Sequence, residues 1–170
     1  MRVAYFISPH GFGHAARAAA VMAAIREREP GAEFEIYTTV PEWFFEDSLR
    51  GPFGYHSVRT DVGLVQRDSF REDLPATVAQ LDSLYPLRTD FVSSLATGVH
   101  ASRCSLVVCD IAPLGIAVAR EAGVPSLLTE NYTWDWIYGG YLQLEPRLAE
   151  HIPYLRHLFA SAARLLSPLL

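Results

Sequence analysis

The sequence has 170 residues, of which 50% are hydrophobic, 12% aromatic and 19% charged. That length suits one domain with a real core, and that apolar content excludes a disordered chain. A formal net charge of −5, with every one of the 14 basic residues an Arg, argues against a nucleic-acid binder held by phosphate contacts.

The chain opens on Arg2 to Ser8, a short apolar run rich in β-formers that predicts a buried parallel strand. The run ends at Ser8-Pro9-His10 with no small-residue cleavage site behind it, so it reads as a strand and not as a signal peptide. Pro9 to Gly13 is a glycine-containing turn. His14 to Glu29 is an Ala-rich helix with Val21, Met22 and Ile25 on its apolar side, stopped by Pro30-Gly31. The longest apolar stretch, Ala18 to Ile25, is far below the roughly 20 residues of a membrane span.

Glu33 to Thr39 predicts the second strand, Glu42 to Leu49 a short helix behind Pro41, and Tyr55 to Arg59 a third strand. Asp61 to Phe70 lacks periodicity and reads as a surface loop. Leu74 to Ser102 is helical, with a break near Pro86. Ser105 to Cys109 is the clearest strand, with Asp110 at its carboxyl end. Cys104 and Cys109 are placed on this one extended segment. They lie roughly 16 Å apart and on opposite faces, so they cannot pair. Their free thiols and the missing leader lead us to expect a cytoplasmic protein.

Pro113 to Ala122 predicts a helix with Pro in its first turn and Gly123 past its end. Pro125 to Thr129 is the next strand, Tyr132 to Tyr141 an aromatic loop, and Glu145 to Ala163 a helix with Pro153 as a kink. Arg164 to Leu170 looks like a strand beginning, as though the chain were part of something longer. Strands alternating with helices give an α/β fold, a Rossmann-like three-layer domain with a mostly parallel sheet spanning 1–170.

In such sheets ligands bind beyond the carboxyl ends of the strands. Ser8 to Arg17, Asp110 to Pro113 and Thr129 to Asp135 all fall there. Gly11 and Gly13 permit a tight turn and close backbone approach, and the following helix offers unpaired N–H groups. The spacing is neither a dinucleotide fingerprint nor a P-loop. His14 near the helix start is a candidate general base, or else a histidine that caps the helix or hydrogen-bonds to backbone. Asp110 is a candidate partner for the second nitrogen of His14, or else the N-cap of the helix at Pro113. Both roles of Asp110 can coexist. His10 and His14 lack a third ligand, so no metal site is expected. Arg17 can meet an anion or simply face solvent. Asn131-Tyr132-Thr133-Trp134-Asp135-Trp136-Ile137-Tyr138 can stack on a ring, form a lid, or face a partner domain.

Together, His10-Gly11-Phe12-Gly13-His14-Ala15-Ala16-Arg17, Leu106-Val107-Val108-Cys109-Asp110 and Ala122-Gly123-Val124-Pro125 resemble the N-terminal half of GT-B glycosyltransferases. With Asn131 to Tyr138, the likeness is strongest to the glycosyltransferase-like region fused to plant arabinose kinases and its bacterial relatives. It runs in order from Met1 to about Ala163, and the segment from Asp61 to Ser102 adds little.

The resemblance implies an acceptor domain. In it His14 deprotonates an acceptor hydroxyl and Asp110 supports it. His10, Gly11, Phe12, Gly13, Arg17, Asn131, Trp134 and Asp135 bind substrate. It further implies a nucleotide-sugar co-substrate, a UDP-sugar, with no metal or other cofactor. The donor site would come from a C-terminal domain in cis or a subunit in trans, and the chain alone would be inactive. Many glycosyltransferases of this type have Pro where this sequence has Arg17, which leaves room for an anionic acceptor. The competing readings are a non-catalytic sugar-sensing module attached to a sugar kinase or other enzyme, and a generic nucleotide-binding α/β domain.

Overall fold

A computed structural model describes residues 1–162 and 164–166. Six strands form one sheet: β1 (Arg2–Ile7), β2 (Glu33–Thr38), β3 (Gly54–Ser57), β6 (Leu106–Asp110), β7 (Ser126–Thr129) and β8 (Arg164–Leu166). Their order is β3-β2-β1-β6-β7-β8, and every pairing in the sheet is parallel. A separate hairpin pairs β4 (Gln66–Asp68) with β5 (Arg71–Glu72). The helices are α1 (Phe12–Arg28), α2 (Glu42–Ser48), α3 (Leu74–Leu84), α4 (Thr89–Ala101), α5 (Pro113–Ala122), α6 (Trp134–Gly140) and α7 (Ile152–Ala160), with a 3-10 turn at Pro146–Glu150.

The pleat of β1 explains the layers. Successive side chains point to opposite faces of a strand. Val3, Tyr5 and Ile7 pack with Ala15, Ala18 and Met22 of α1 and Phe45 of α2. Ala4 and Phe6 pack on the other face with residues of α3 to α7, among them Leu81, Val99, Leu114 and Leu158. Both faces being covered, β1 is apolar throughout beyond Arg2, as a central parallel strand must be. The small residues Ala15, Ala18 and Ala19 let α1 lie close on the sheet. The result is the α/β, Rossmann-like three-layer domain that the alternating pattern predicted.

Several local readings change. The segment opening at Asp61 is not all surface: Thr60 and Asp61 are buried, and 66–72 forms the hairpin. Tyr132 to Tyr141 is not a loop throughout, because Trp134 to Gly140 is helical and buries Trp134 and Tyr138 one turn apart. Pro153 sits in the first turn of α7, where its missing N–H costs nothing, so it kinks no helix. Cys104 precedes β6 and is not part of it; both cysteines are free and buried. The strand read at Arg164 to Leu170 is present at Arg164–Leu166, beside β7; residues 167–170, and Ala163 at the end of the predicted last helix, lie outside the described residues. Among the described residues no helix is long and apolar enough to cross a membrane.

Candidate functional site

The strand order reverses direction between β1 and β6: the chain moves outward one way from β1 to β3 and the other way from β6 to β8. Connections leave in opposite senses there, which opens a crevice at the carboxyl ends. Ile7, Asp110 and Thr129 stand level in the ladder, so β1, β6 and β7 release their loops at one height. Ser8 N–H still donates to the Asp110 carbonyl at 3.1 Å, which ties the first loop to the end of β6.

The chain turns into α1 at Gly11, whose φ of +83° is left-handed and suits glycine. Gly11 is the N-cap and supplies no side-chain cap, so His14 lies inside the first turn and caps nothing. Its Nδ1 is 2.7 Å from Asp110 Oδ1. Asp110 does not cap α5 either: that N-cap is Ala112, without a side-chain bond. The Asp110 carboxylate is fully buried and turns toward α1, where Arg17 donates from Nε to Oδ2 at 2.8 Å and from Nη2 to Oδ1 at 2.5 Å. Arg17 Nη1 donates to Asn131 Oδ1 at 3.0 Å.

A carboxylate only accepts, so the proton of a neutral His14 sits on Nδ1 and Nε2 keeps a lone pair. Ile111, immediately after Asp110, has φ of +49° and is fully buried. A β-branched residue there is strained by about 1–3 kcal/mol. The strain lies in the turn that carries the chain from Asp110 into α5.

These groups line a cavity of about 320 Å³: His10, Gly13, His14 and Arg17 from the β1 side, Ile111, Asn131 and Tyr132 from the β6 and β7 side. His10 is held from behind. Its ring meets Trp134 edge-on, centroids 5.3 Å apart. Gly63, at φ of +64°, leaves room for it, since a Cβ there would come 2.6 Å from His10 Nδ1. Burial, and secondarily the proximity of His14, lower the His10 pKa and favour its neutral form.

Trp134 is buried behind this wall and does not line the cavity. Its indole N–H donates to Asp61 Oδ2 at 3.0 Å. Asp61 is 1% exposed, and burial raises its pKa to about 6 against hydrogen bonds from Ser8 and Trp134 and the charges of His14 and Arg59. Asp135 also lies away from the dyad. It lines a separate cavity of about 500 Å³ with Trp136, Gly139 and Arg156, and Arg156 Nε donates to its Oδ2 at 3.3 Å. Phe12 is half exposed, with its ring against Phe44 and Trp43 at 5.3 and 6.0 Å.

Of the residues singled out in the sequence, His10, Gly13, His14, Arg17 and Asn131 therefore meet at the cavity, with Asp110 beneath them. Gly11 and Phe12 stand between His10 and Gly13 at the start of α1, and Trp134 and Asp135 face elsewhere. Sequence reasoning missed Asp61 and Gly63, which sit in a segment without periodicity that only the tertiary fold brings here. Ile111 fell inside the Asp110 to Pro113 segment placed at the crevice but was not singled out.

No family model matches this chain. It is 28% identical over 141 residues to the L-arabinokinase of Arabidopsis thaliana, covering 82% of this chain and 13% of that protein. Among solved structures, MurG of Acinetobacter baumannii aligns with 76% of this chain and 35% of its own at 17% identity and a TM-score of 0.47. UGT89C1 of Arabidopsis thaliana, complexed with UDP, aligns with 96% of this chain and 41% of its own at 15% identity and a TM-score of 0.54. The fold is GT-B-like. The GT-B-like domain thus spans less than half the length of these relatives. Within it, the His14–Asp110 pair stands where the sheet itself places a ligand crevice.

Proposed function

We propose that this GT-B-like domain is the acceptor-binding half of a glycosyltransferase, with a nucleotide sugar, a UDP-sugar, as donor. The observation that carries the reading is the 2.7 Å contact between His14 Nδ1 and Asp110 Oδ1 at the mouth of the sheet, which leaves Nε2 free to accept a proton. An acceptor hydroxyl in the cavity gives its proton to Nε2 as its oxygen bonds to the anomeric carbon of the donor. The bond from that carbon to the diphosphate oxygen breaks, and the electron pair leaves with the nucleoside diphosphate. Asp110 holds the tautomer and offsets the charge that grows on the imidazole. His10 and Asn131 orient the acceptor.

The donor side falls to a C-terminal domain in cis or a subunit in trans, and residues 1–170 alone do not turn over. No metal enters the scheme. A small-molecule acceptor in a cytoplasmic setting completes the reading.

The likeness to L-arabinokinase favours a second reading, in which the same cavity binds a sugar without turnover and serves as a sensing module. One experiment separates the two. The natural full-length gene product is incubated with a panel of UDP-sugars and simple glycosides, and free UDP is measured. Acceptor-dependent release of UDP supports transfer. Saturable binding of a free sugar by calorimetry, with no UDP released, supports sensing and overturns transfer.

A further inference from the structure

We propose that Arg17 is a positioning residue that sets the charge state of His14. Three N–H groups converge on the buried Asp110 carboxylate: Arg17 Nε on Oδ2, and Arg17 Nη2 and His14 Nδ1 together on Oδ1. Arg17 takes both oxygens and His14 shares one of them. The Asp110 side chain is fully buried, so its charge is shielded from bulk solvent. One carboxylate charge therefore faces one permanent cation.

A second proton on His14 would place an imidazolium beside that guanidinium, whose Nη2 is 3.4 Å from Nδ1. Like charges at this range oppose each other strongly where water is scarce. Without Arg17, the undivided charge of Asp110 would pull a proton onto the imidazole and occupy Nε2. With Arg17, His14 keeps its orienting bond and its lone pair.

The other titratable groups around the pair do not take over this role. Tyr5 beneath it on β1 and Tyr132 beside it are pushed up and stay neutral. His10 is pushed toward neutrality by burial. Asp61 lies within electrostatic reach of His14, but it is buried against Trp134 and burial raises its pKa to about 6, so it shares this influence only where it is ionised and touches neither ring nitrogen. Arg17 and Asp110 are thus the fixed charges in contact with His14. Asn131 holds the remaining arm of Arg17, so the arrangement couples the loops after β1, β6 and β7.

The catalytic meaning rests on His14 acting as the base, but the charge effect is measurable without turnover. The full chain is labelled with ¹⁵N in histidine only, the His14 signal is assigned by its loss in His14→Gln, and its titration is followed by NMR. In Arg17→Ala the midpoint of His14 rises by about one pH unit or more relative to the unsubstituted protein. Arg17→Lys keeps the charge, loses the bidentate grip and rises by less than half as much. Arg17→Gln removes the charge at similar volume and rises as the Ala variant does, which covers the case in which Arg17→Ala fails to fold. An unchanged or lowered midpoint in the folded Ala or Gln variant overturns the proposal. A purely structural Arg17 would lower stability in these variants without moving the His14 midpoint. If His14→Ala keeps full turnover, the base reading fails while this charge effect stands or falls on its own titration.

Discussion

His14 Nδ1 and Asp110 Oδ1 lie 2.7 Å apart across 96 residues of sequence. The parallel sheet brings them together by seating β6 beside β1 with Ile7 level with Asp110. Helix α1 then needs only its first turn to reach over the end of β6. The pair is a consequence of topology, and what surrounds it can be tested residue by residue.

Asp110→Asn should destabilise the domain and not merely silence it. Asp110 is fully buried and is the acceptor for two Arg17 bonds and one His14 bond. The amide removes the charge and presents an N–H to groups that themselves donate. Breaking one side of such a pair costs about 3 kcal/mol. Urea denaturation should show a lower midpoint with an unchanged m-value.

Asp61 should make stability fall with rising pH. Its pKa is near 3.8 when unfolded and is raised by burial to about 6 in the fold. The folded state therefore holds the proton more tightly. Stability from this group is full below about pH 3.8, declines between there and about pH 6, and is lost above it. Asp61→Asn keeps an acceptor for Trp134 and abolishes the change. Relative to the unsubstituted protein, it should be more stabilising at pH 7.5 than at pH 4 by up to about 3 kcal/mol. Denaturant melts at the two pH values check this. An equal difference at both would contradict it.

The two tryptophans of the Trp134-Asp135-Trp136 motif should separate cleanly. Trp134 is buried, and Asp61 has lost its water to accept the Trp134 indole N–H. Trp134→Phe leaves that carboxylate short of a donor and should cost about 1–3 kcal/mol. Trp136 is 70% exposed, so Trp136→Phe should stay within about 0.5 kcal/mol. Thermal unfolding of both variants tests the contrast.

Gly63→Ala should disturb His10 at a distance in sequence. The new Cβ meets a left-handed backbone and sits 2.6 Å from the imidazole Nδ1. The backbone term alone is about 1–2 kcal/mol. A structure of the variant should show the His10 ring displaced from Trp134, with weaker ligand binding in the cavity.

The sequence made the dyad legible because both residues follow strands that read clearly. Ser105 to Cys109 is an unbroken β-forming run, and Arg2 to Ser8 is another. Asp61 was hidden for the opposite reason. It opens the stretch from Asp61 to Phe70, which has neither helical nor strand period, and its burial comes from Trp134 and Tyr138 closing over it, with Tyr138 donating to the Gly63 carbonyl. Helix α6 was misread as a loop because its signal is only Trp134 and Tyr138 at four-residue spacing before two glycines. The bond of Arg17 to Asp110 was invisible as well: from sequence, Arg17 looked free for an anion or for solvent. Its partner lies 93 residues away, on a strand that only sheet order places beside α1.

The central claim is that His14 takes a proton from an acceptor hydroxyl. The direct measurement is acceptor-dependent UDP release by the natural full-length protein and its His14→Ala variant, at matched substrate concentrations. Loss of at least about a hundredfold in turnover, with folding intact by circular dichroism, is the predicted result. Unchanged turnover in the variant would contradict it.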